Sequence, residues 1–116
     1  MARAVALVAL MMVGVAGLAQ PVPYHGVPGG NAWVSGEFAA AYQEAVQVDT
    51  AAAQLLASRA AADQAVYLEV ESAAARTWLD RAEAAARRSL ELEPSGPLAA
   101  AATMAVARAK GESGLH

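Results

Sequence analysis

The chain has 116 residues, a formal net charge of −3 and a hydrophobic content of 57%. Alanine accounts for 33 residues, isoleucine is absent, and six residues are aromatic (two Trp, three Tyr, one Phe). Alanine at this density argues against an all-β fold, and the acidic balance disfavours a nucleic-acid-binding role that depends on neutralising phosphates. The absence of cysteine excludes disulfides, thiolate metal sites and cysteine nucleophiles. The length allows one domain at most.

The first 19 residues have the layout of a secretory signal peptide. Arg3 supplies a positive charge, an uncharged apolar run follows, and small residues stand at Gly17 and Ala19. The run is shorter than the ~20 apolar residues that a membrane-spanning helix needs. We therefore expect cleavage after Ala19 and export to a bacterial periplasm or the extracellular space, over the alternative of a segment retained as a membrane anchor.

Residues 20–35 form a proline- and glycine-rich segment, which predicts a flexible linker without a helix. Tyr24, His25 and Trp33 are candidates for a recognition strip, because proline-rich segments with aromatic residues can dock onto partners. We favour the alternative of a mobile tether in which Trp33 folds back onto the first helix.

Residues 36–116 predict an all-α domain of four helices, because apolar residues recur at helical spacing throughout. The expected bounds are about 36–48, about 51–70, from 72 or 77 to 92, and 98–110. The first three helices follow residues suited to cap them, namely Ser35, Asp49 or Thr50, and Ser72 or Thr77. Gly111 is expected to end the fourth helix. The sequence leaves open whether residues 70–77 are a break or a bend in one long helix.

Two segments of the chain resemble each other at an offset of 44 residues. The six positions of residues 45–50 and of residues 89–94 follow the same order of residue types. This order is small, apolar, polar, apolar, acidic and helix-breaking. An alanine-rich helix is predicted after each segment. Helix–turn–helix repeats with periods of 20–50 residues indicate an α-solenoid.

Residues 84–94 resemble the end of the second helix of a tetratricopeptide repeat, whose consensus finishes in Ala-Leu-x-Leu-Asp-Pro. Ser89 stands where that alanine is usual, Pro94 is the final breaker, and Ala82 matches the small residue early in the helix. Residues 36–49 resemble the second helix of an earlier repeat, and residues 98–111 the first helix of a following one.

The resemblance implies short antiparallel helical hairpins stacked as a tetratricopeptide-like solenoid fragment. The offset of 44 residues departs from the family's usual period of 34. The aromatic and glycine positions of the family's first helix are also missing from the second predicted helix. The chain supplies a half, a whole and another half repeat, and the apolar face of its last helix is therefore expected to be uncovered.

The same resemblance implies binding through the concave side of the first helices, which are the second and fourth predicted helices here. The candidate partner-binding residues are the polar ones there: Gln54, Arg59, Asp63, Thr103 and Arg108. We expect a non-enzymatic exported module for protein–protein interaction in the cell envelope, with an unidentified protein or peptide partner. The alternative is an envelope structural component that self-associates through the fourth helix, or a truncated fragment of a longer repeat protein.

No catalytic, cofactor or metal site is predicted. His25 and His116 have no second ligand or orienting acid nearby, and no nucleotide-binding or hydrolase motif occurs. The third predicted helix carries the one basic concentration, formed by Arg76, Arg81, Arg87 and Arg88. We interpret it as a solvated helix face, over the alternative of a site for an acidic peptide or a phosphate group. Membrane contact is expected only through an uncleaved signal segment, because no helix pairs a basic face with a bulky apolar one.

Two ion pairs are expected on the helix surfaces. Arg59 and Asp63 lie four residues apart, and Arg87 lies four from both Glu83 and Glu91. Such pairs are neighbours on one helix face and contribute a few tenths of a kcal/mol each.

Overall fold

A computed structural model of the protein describes residues 26–69 and 72–114. The predicted signal peptide (1–19), residues 20–25 of the predicted linker and His116 lie outside the described residues. All regular structure in the described part of the chain is helical, which confirms the all-α prediction. Five helices follow in chain order: α1 (Gly30–Val34), α2 (Phe38–Ala45), α3 (Ala51–Val66), α4 (Ala73–Leu92) and α5 (Ala99–Gly114).

Helices α3 and α4 form an antiparallel pair in close contact. The Ser58 hydroxyl in α3 donates to the carbonyl of Ala82 in α4 at 2.7 Å, and the Ser89 hydroxyl in α4 donates to the carbonyl of Ala51 in α3 at 2.8 Å. Both serines are buried. Because a serine side chain is short, these bonds form only where the two helix backbones approach closely. Ala82 and Ser89, two of the residues that carry the tetratricopeptide resemblance, therefore lie in this contact.

Helix α3 is central, because α2, α4 and α5 all pack against it. Eight of its 16 residues are alanine, and eleven are buried. Its buried residues therefore surround the helix instead of forming one stripe. The largest apolar side chains of the core are Leu55 and Leu56 from this helix and Leu79 from α4, and alanines make up the rest of the buried apolar core.

Helix α5 is antiparallel to α4 and therefore parallel to α3. Ala102, near its start, shares a buried cluster with Ala85 of α4, whereas Ala109, near its end, shares one with Ala82 of α4. The order along one helix is thus reversed along the other. Ala61 of α3 belongs to the second of these clusters, which places α5 against both preceding helices.

Helix α2 reaches α4 through aromatic side chains. The rings of Tyr42 and Trp78 meet edge to face with their centroids 5.4 Å apart, a favourable arrangement for the two ring quadrupoles. The guanidinium of Arg81 lies 4.7 Å from the centroid of the Trp78 ring and 5.8 Å from that of Tyr42. Arg81, one of the four arginines in the basic concentration of the third predicted helix, therefore lies over aromatic faces within the fold.

The caps of α3 and α4 are among the predicted alternatives. Thr50 accepts a hydrogen bond from the backbone N–H of Ala53, and Ser72 accepts one from that of Ala75. Since α3 ends at Val66 and Ser72 caps a new helix, α3 and α4 are two separate helices and not one bent helix.

Four predicted boundaries are wrong. The first predicted helix ends at Ala45, short of residue 48. Ser35 does not begin a helix; it ends α1, and α2 starts at Phe38. The second predicted helix ends at Val66, short of residue 70. Helix α5 continues through Gly111 to Gly114. A glycine is tolerated inside a helix at a cost of about 1 kcal/mol, and the Arg108–Glu112 ion pair at 2.9 Å spans this position.

Helix α1 corrects the prediction that residues 20–35 contain no helix. Its single turn follows Gly29, whose φ of 90° lies in the left-handed region that glycine adopts without strain. A Cβ atom at Gly29 would lie 2.5 Å from the carbonyl oxygen of Ala41, so the missing side chain also lets this turn approach α2. The three prolines of residues 20–35 all precede the turn and do not interrupt it.

Candidate functional site

A groove of about 320 Å³ runs between the parallel helices α3 and α5. Small side chains on both walls leave this space open, because alanine and serine are too short to fill the gap between the helices. The groove is lined by Trp33 of α1, by Ser58, Arg59, Ala62 and Asp63 of α3, and by Ala101, Met104, Ala105 and Arg108 of α5.

Asp63 connects three elements at one end of this groove. Its Oδ2 accepts a hydrogen bond from Nε1 of Trp33 at 2.9 Å, and its Oδ1 accepts one from Nη2 of Arg108 at 2.9 Å. Trp33 thus folds back onto the helical domain, but with its indole N–H on α3 and not on the first predicted helix. Burial acts to lower the pKa of Arg108, and hydrogen bonds to Glu112 and Asp63 outweigh it and raise that pKa. The guanidinium therefore stays charged.

Three of the five predicted partner-binding residues, Arg59, Asp63 and Arg108, line the groove together. Thr103 is exposed on α5 but is not among the lining residues, and its hydroxyl donates to the carbonyl of Ala99 at 2.9 Å within the helix. The structure thus brings together the charged members of the predicted set.

Gln54, another predicted partner-binding residue, has a structural role and is buried. It is 5% exposed, and its Nε2 donates to the carbonyls of Val46 and Val48 at 3.0 Å each. These carbonyls follow the end of α2, where backbone acceptors lack helical partners. The amide of Gln54 therefore joins the end of α2 to α3.

A shallower depression of about 440 Å³ adjoins the groove. It is lined by Trp33, Val34, Phe38, Asp63, Val66 and Tyr67. Because Trp33 and Asp63 line both spaces, the groove and the depression form one continuous surface. The lining residues of the two spaces together are called the Trp33 face below.

The exposed large apolar side chains of the described residues gather on the Trp33 face. Val34, Val66 and Tyr67 are 65–74% exposed in the depression, and Met104 is 72% exposed in the groove. The ring of Tyr67 stacks on that of Phe38 with the centroids 5.9 Å apart. Single exposed apolar residues are common on proteins, but a contiguous group rimmed by polar residues is typical of an interaction site.

Sequence reasoning missed this apolar group. Val66 and Tyr67 fall within the helix predicted over about 51–70, whereas α3 ends at Val66. Val34 falls within the predicted linker, residues 20–35. The one available signal was the aromatic character of residues 33–38, which contain Trp33 and Phe38.

The basic residues at the end of α4 bond within the chain. Arg87 pairs with Glu83 at 2.9 Å, one of its two predicted partners. Arg88 contacts Asp49 at 2.5 Å and Glu91 at 3.1 Å. The hydrogen bond from Arg88 holds the pKa of Asp49 below its usual value and raises the pKa of Arg88 in turn.

Two further features bear on the chemistry of the described residues. Within 26–69 and 72–114, no three His, Asp or Glu side chains come together in a way that could hold a metal ion. No helix in these ranges has the length and apolar character to cross a membrane.

Comparison of the chain with protein-family models, with curated proteins and with solved structures gives no match. The Trp33 face offers apolar contact area beside a partly buried ion pair.

Replacement of Asp63 by asparagine is expected to lower the free energy of unfolding by about 1–3 kcal/mol. The amide keeps the shape of the carboxylate but removes its charge and turns one acceptor toward Trp33 or Arg108 into a donor. Urea denaturation followed by tryptophan fluorescence measures the loss. Asp80→Asn, at an exposed position on α4, is the matched control and should change stability by less than about 0.5 kcal/mol. Equal losses in both variants would contradict the structural role of Asp63.

Proposed function

We propose that this chain is an exported, non-enzymatic helical-repeat module that mediates protein–protein interaction in the cell envelope. The observation that carries the proposal is the gathering of Val34, Val66, Tyr67 and Met104 on the Trp33 face. Apolar side chains at the centre of a patch with polar groups around them are the usual composition of a protein interface.

The arrangement of the helices supports the tetratricopeptide-like part of this proposal. Helices α3 and α5 lie side by side in the same direction, with α4 antiparallel to both, as in successive helical hairpins of a solenoid. The groove lies between these two helices, and they are the helices through which the resemblance implies binding. Asp63 and Arg108, which pair across it, are 45 residues apart, close to the offset between the two similar sequence segments.

Export is the part of the proposal that rests on the sequence of residues 1–19. The charge at Arg3, the apolar run and the small residues up to Ala19 support a signal peptide removed before Gln20. A periplasmic or extracellular location follows from such a segment, and the partner is then a protein or peptide of the same compartment.

Site-specific photo-crosslinking tests the interaction in the cells that export the chain. We expect a benzophenone side chain at Met104 to give a discrete crosslinked product, because this position is 72% exposed in the groove. The same side chain at Ala84, exposed on α4, is the matched control and should give none.

The identity of the product separates the two candidate functions. A product containing a different protein supports the interaction module. A product that contains only two copies of this chain would favour the self-associating envelope component. The absence of any product from Met104 and from Tyr67 would contradict an interaction through the Trp33 face.

A further inference from the structure

We infer that the partner presents a basic segment with an apolar or aromatic anchor, and that this segment seats in the depression of the Trp33 face. The inference rests on the proposed function and adds the chemistry of the partner. Three aromatic side chains, two valines and the carboxylate of Asp63 line the depression, and none of the described lysine or arginine side chains does. The lining therefore suits an apolar anchor.

The segment of the chain that supplies the depression has more acidic than basic residues, although two of its acids, Asp49 and Asp63, pair with Arg88 and Arg108. Residues 26–69 contain five acidic residues and one basic residue, Arg59, which is a formal charge of −4. Residues 72–114 contain five acidic and six basic residues, which is a formal charge of +1. Arg59 lines the groove and not the depression. A positively charged segment would be attracted to the depression from solution, since complementary charge increases the rate of encounter.

Two exposed carboxylates are close in sequence to residues that line the depression. Glu37 directly precedes Phe38, and Glu69 follows Tyr67 by two residues; both are exposed. The charge of Asp63 is already paired with Arg108. Glu37 and Glu69 are therefore the carboxylates that an incoming lysine or arginine would meet, and the exposed aromatic ring of Tyr67 adds a face on which a cation can lie.

A second copy of this chain is a poorer occupant of the depression. A two-fold dimer through this surface would bring the same patch of both copies together. Glu37 and Glu69 of one copy would then approach their equivalents in the other, and like charges at an interface disfavour association. An acidic peptide in the depression would meet the same repulsion, so Glu37 and Glu69 select among partners that the apolar area alone would not distinguish.

The probe is a random peptide library displayed on phage and panned against the purified full chain. We expect the enriched peptides to carry a net positive charge and at least one aromatic or branched aliphatic residue. Their binding to the Tyr67→Ser variant should be weaker by about tenfold or more, because the variant loses the apolar contact. Their binding to the Glu37→Gln/Glu69→Gln variant should be weaker by about three- to tenfold at low salt, and this difference should shrink at high salt.

A matched control removes two carboxylates elsewhere on the surface. The Glu44→Gln/Asp80→Asn variant changes the net charge by the same amount at exposed positions, and it should alter the affinity by less than about twofold. All substituted positions are exposed, and the helical circular dichroism spectrum of each variant is expected to match that of the unsubstituted chain.

Enriched peptides that are acidic or uncharged overturn the inference, as do peptides that bind both patch variants as tightly as the unsubstituted chain. The inference is also overturned if no peptide is enriched over the level seen with an unrelated control protein. The proposed function fails by a different measurement, since the Met104 crosslink detects any protein partner whatever its charge. A heterologous crosslink together with acidic peptides would therefore retain the interaction module and exclude the basic partner.

Discussion

The Leu56→Ala variant is expected to lose about 2–5 kcal/mol of unfolding free energy. Leu56 is fully buried and is one of three leucines in a core otherwise made of alanine. Alanine side chains cannot extend into the space that the leucine leaves, so the cavity stays empty and its full cost is retained. Because single domains have total stabilities of about 5–15 kcal/mol, this loss is a large fraction of the total.

Urea denaturation followed by far-ultraviolet circular dichroism measures this loss. The control is Met104→Ala, which also removes a large apolar side chain but at a position 72% exposed. It should shift the free energy of unfolding by less than about 0.5 kcal/mol. If Leu56→Ala were no more destabilising than this control, the core would not depend on its few leucines.

The existence of four helices and the caps of two of them could be predicted, because these features depend on local chemistry. Thr50 and Ser72 precede alanine-rich segments, and their hydroxyl groups accept hydrogen bonds from the first turn in any tertiary setting. The end of α5 could not be predicted from Gly111, since glycine both ends helices and is tolerated within them. Helix α1 depends on the close approach of Gly29 to α2, which is a tertiary contact.

Some of the residues that line the groove could be predicted from the sequence. Arg59 and Asp63 lie on one helix face by their spacing, and the tetratricopeptide resemblance implies that Arg108 lies on the same concave side. Gln54 could not be separated from them, because α3 is buried nearly all round and has no apolar stripe from which to judge its exposed side. The apolar group on the Trp33 face includes Val66 and Tyr67 at the end of α3, where periodicity carries little information.

The Ala82→Leu variant should be destabilised by about 1–3 kcal/mol, since overpacking a filled core forces helices apart. Ala82 is fully buried, its carbonyl accepts the hydrogen bond from Ser58, and it shares a cluster with Ala61 and Ala109. A leucine at this position would push on α3 and α5 at once. Leucine is a good helix former, so the loss would come from tertiary packing and not from α4 itself.

The exposed neighbour Ala84 supplies the matched control, because Ala84→Leu makes the same change on the same helix. Urea denaturation of both variants measures the difference, and the control should stay within about 0.5 kcal/mol of the unsubstituted chain. Equal destabilisation by the two leucines would contradict the close approach of α3 and α4.

Since α3 and α5 both pack on α4, displacement at position 82 also changes the spacing of the groove walls. Binding at the Trp33 face is therefore expected to weaken together with stability in Ala82→Leu and to be unchanged in Ala84→Leu.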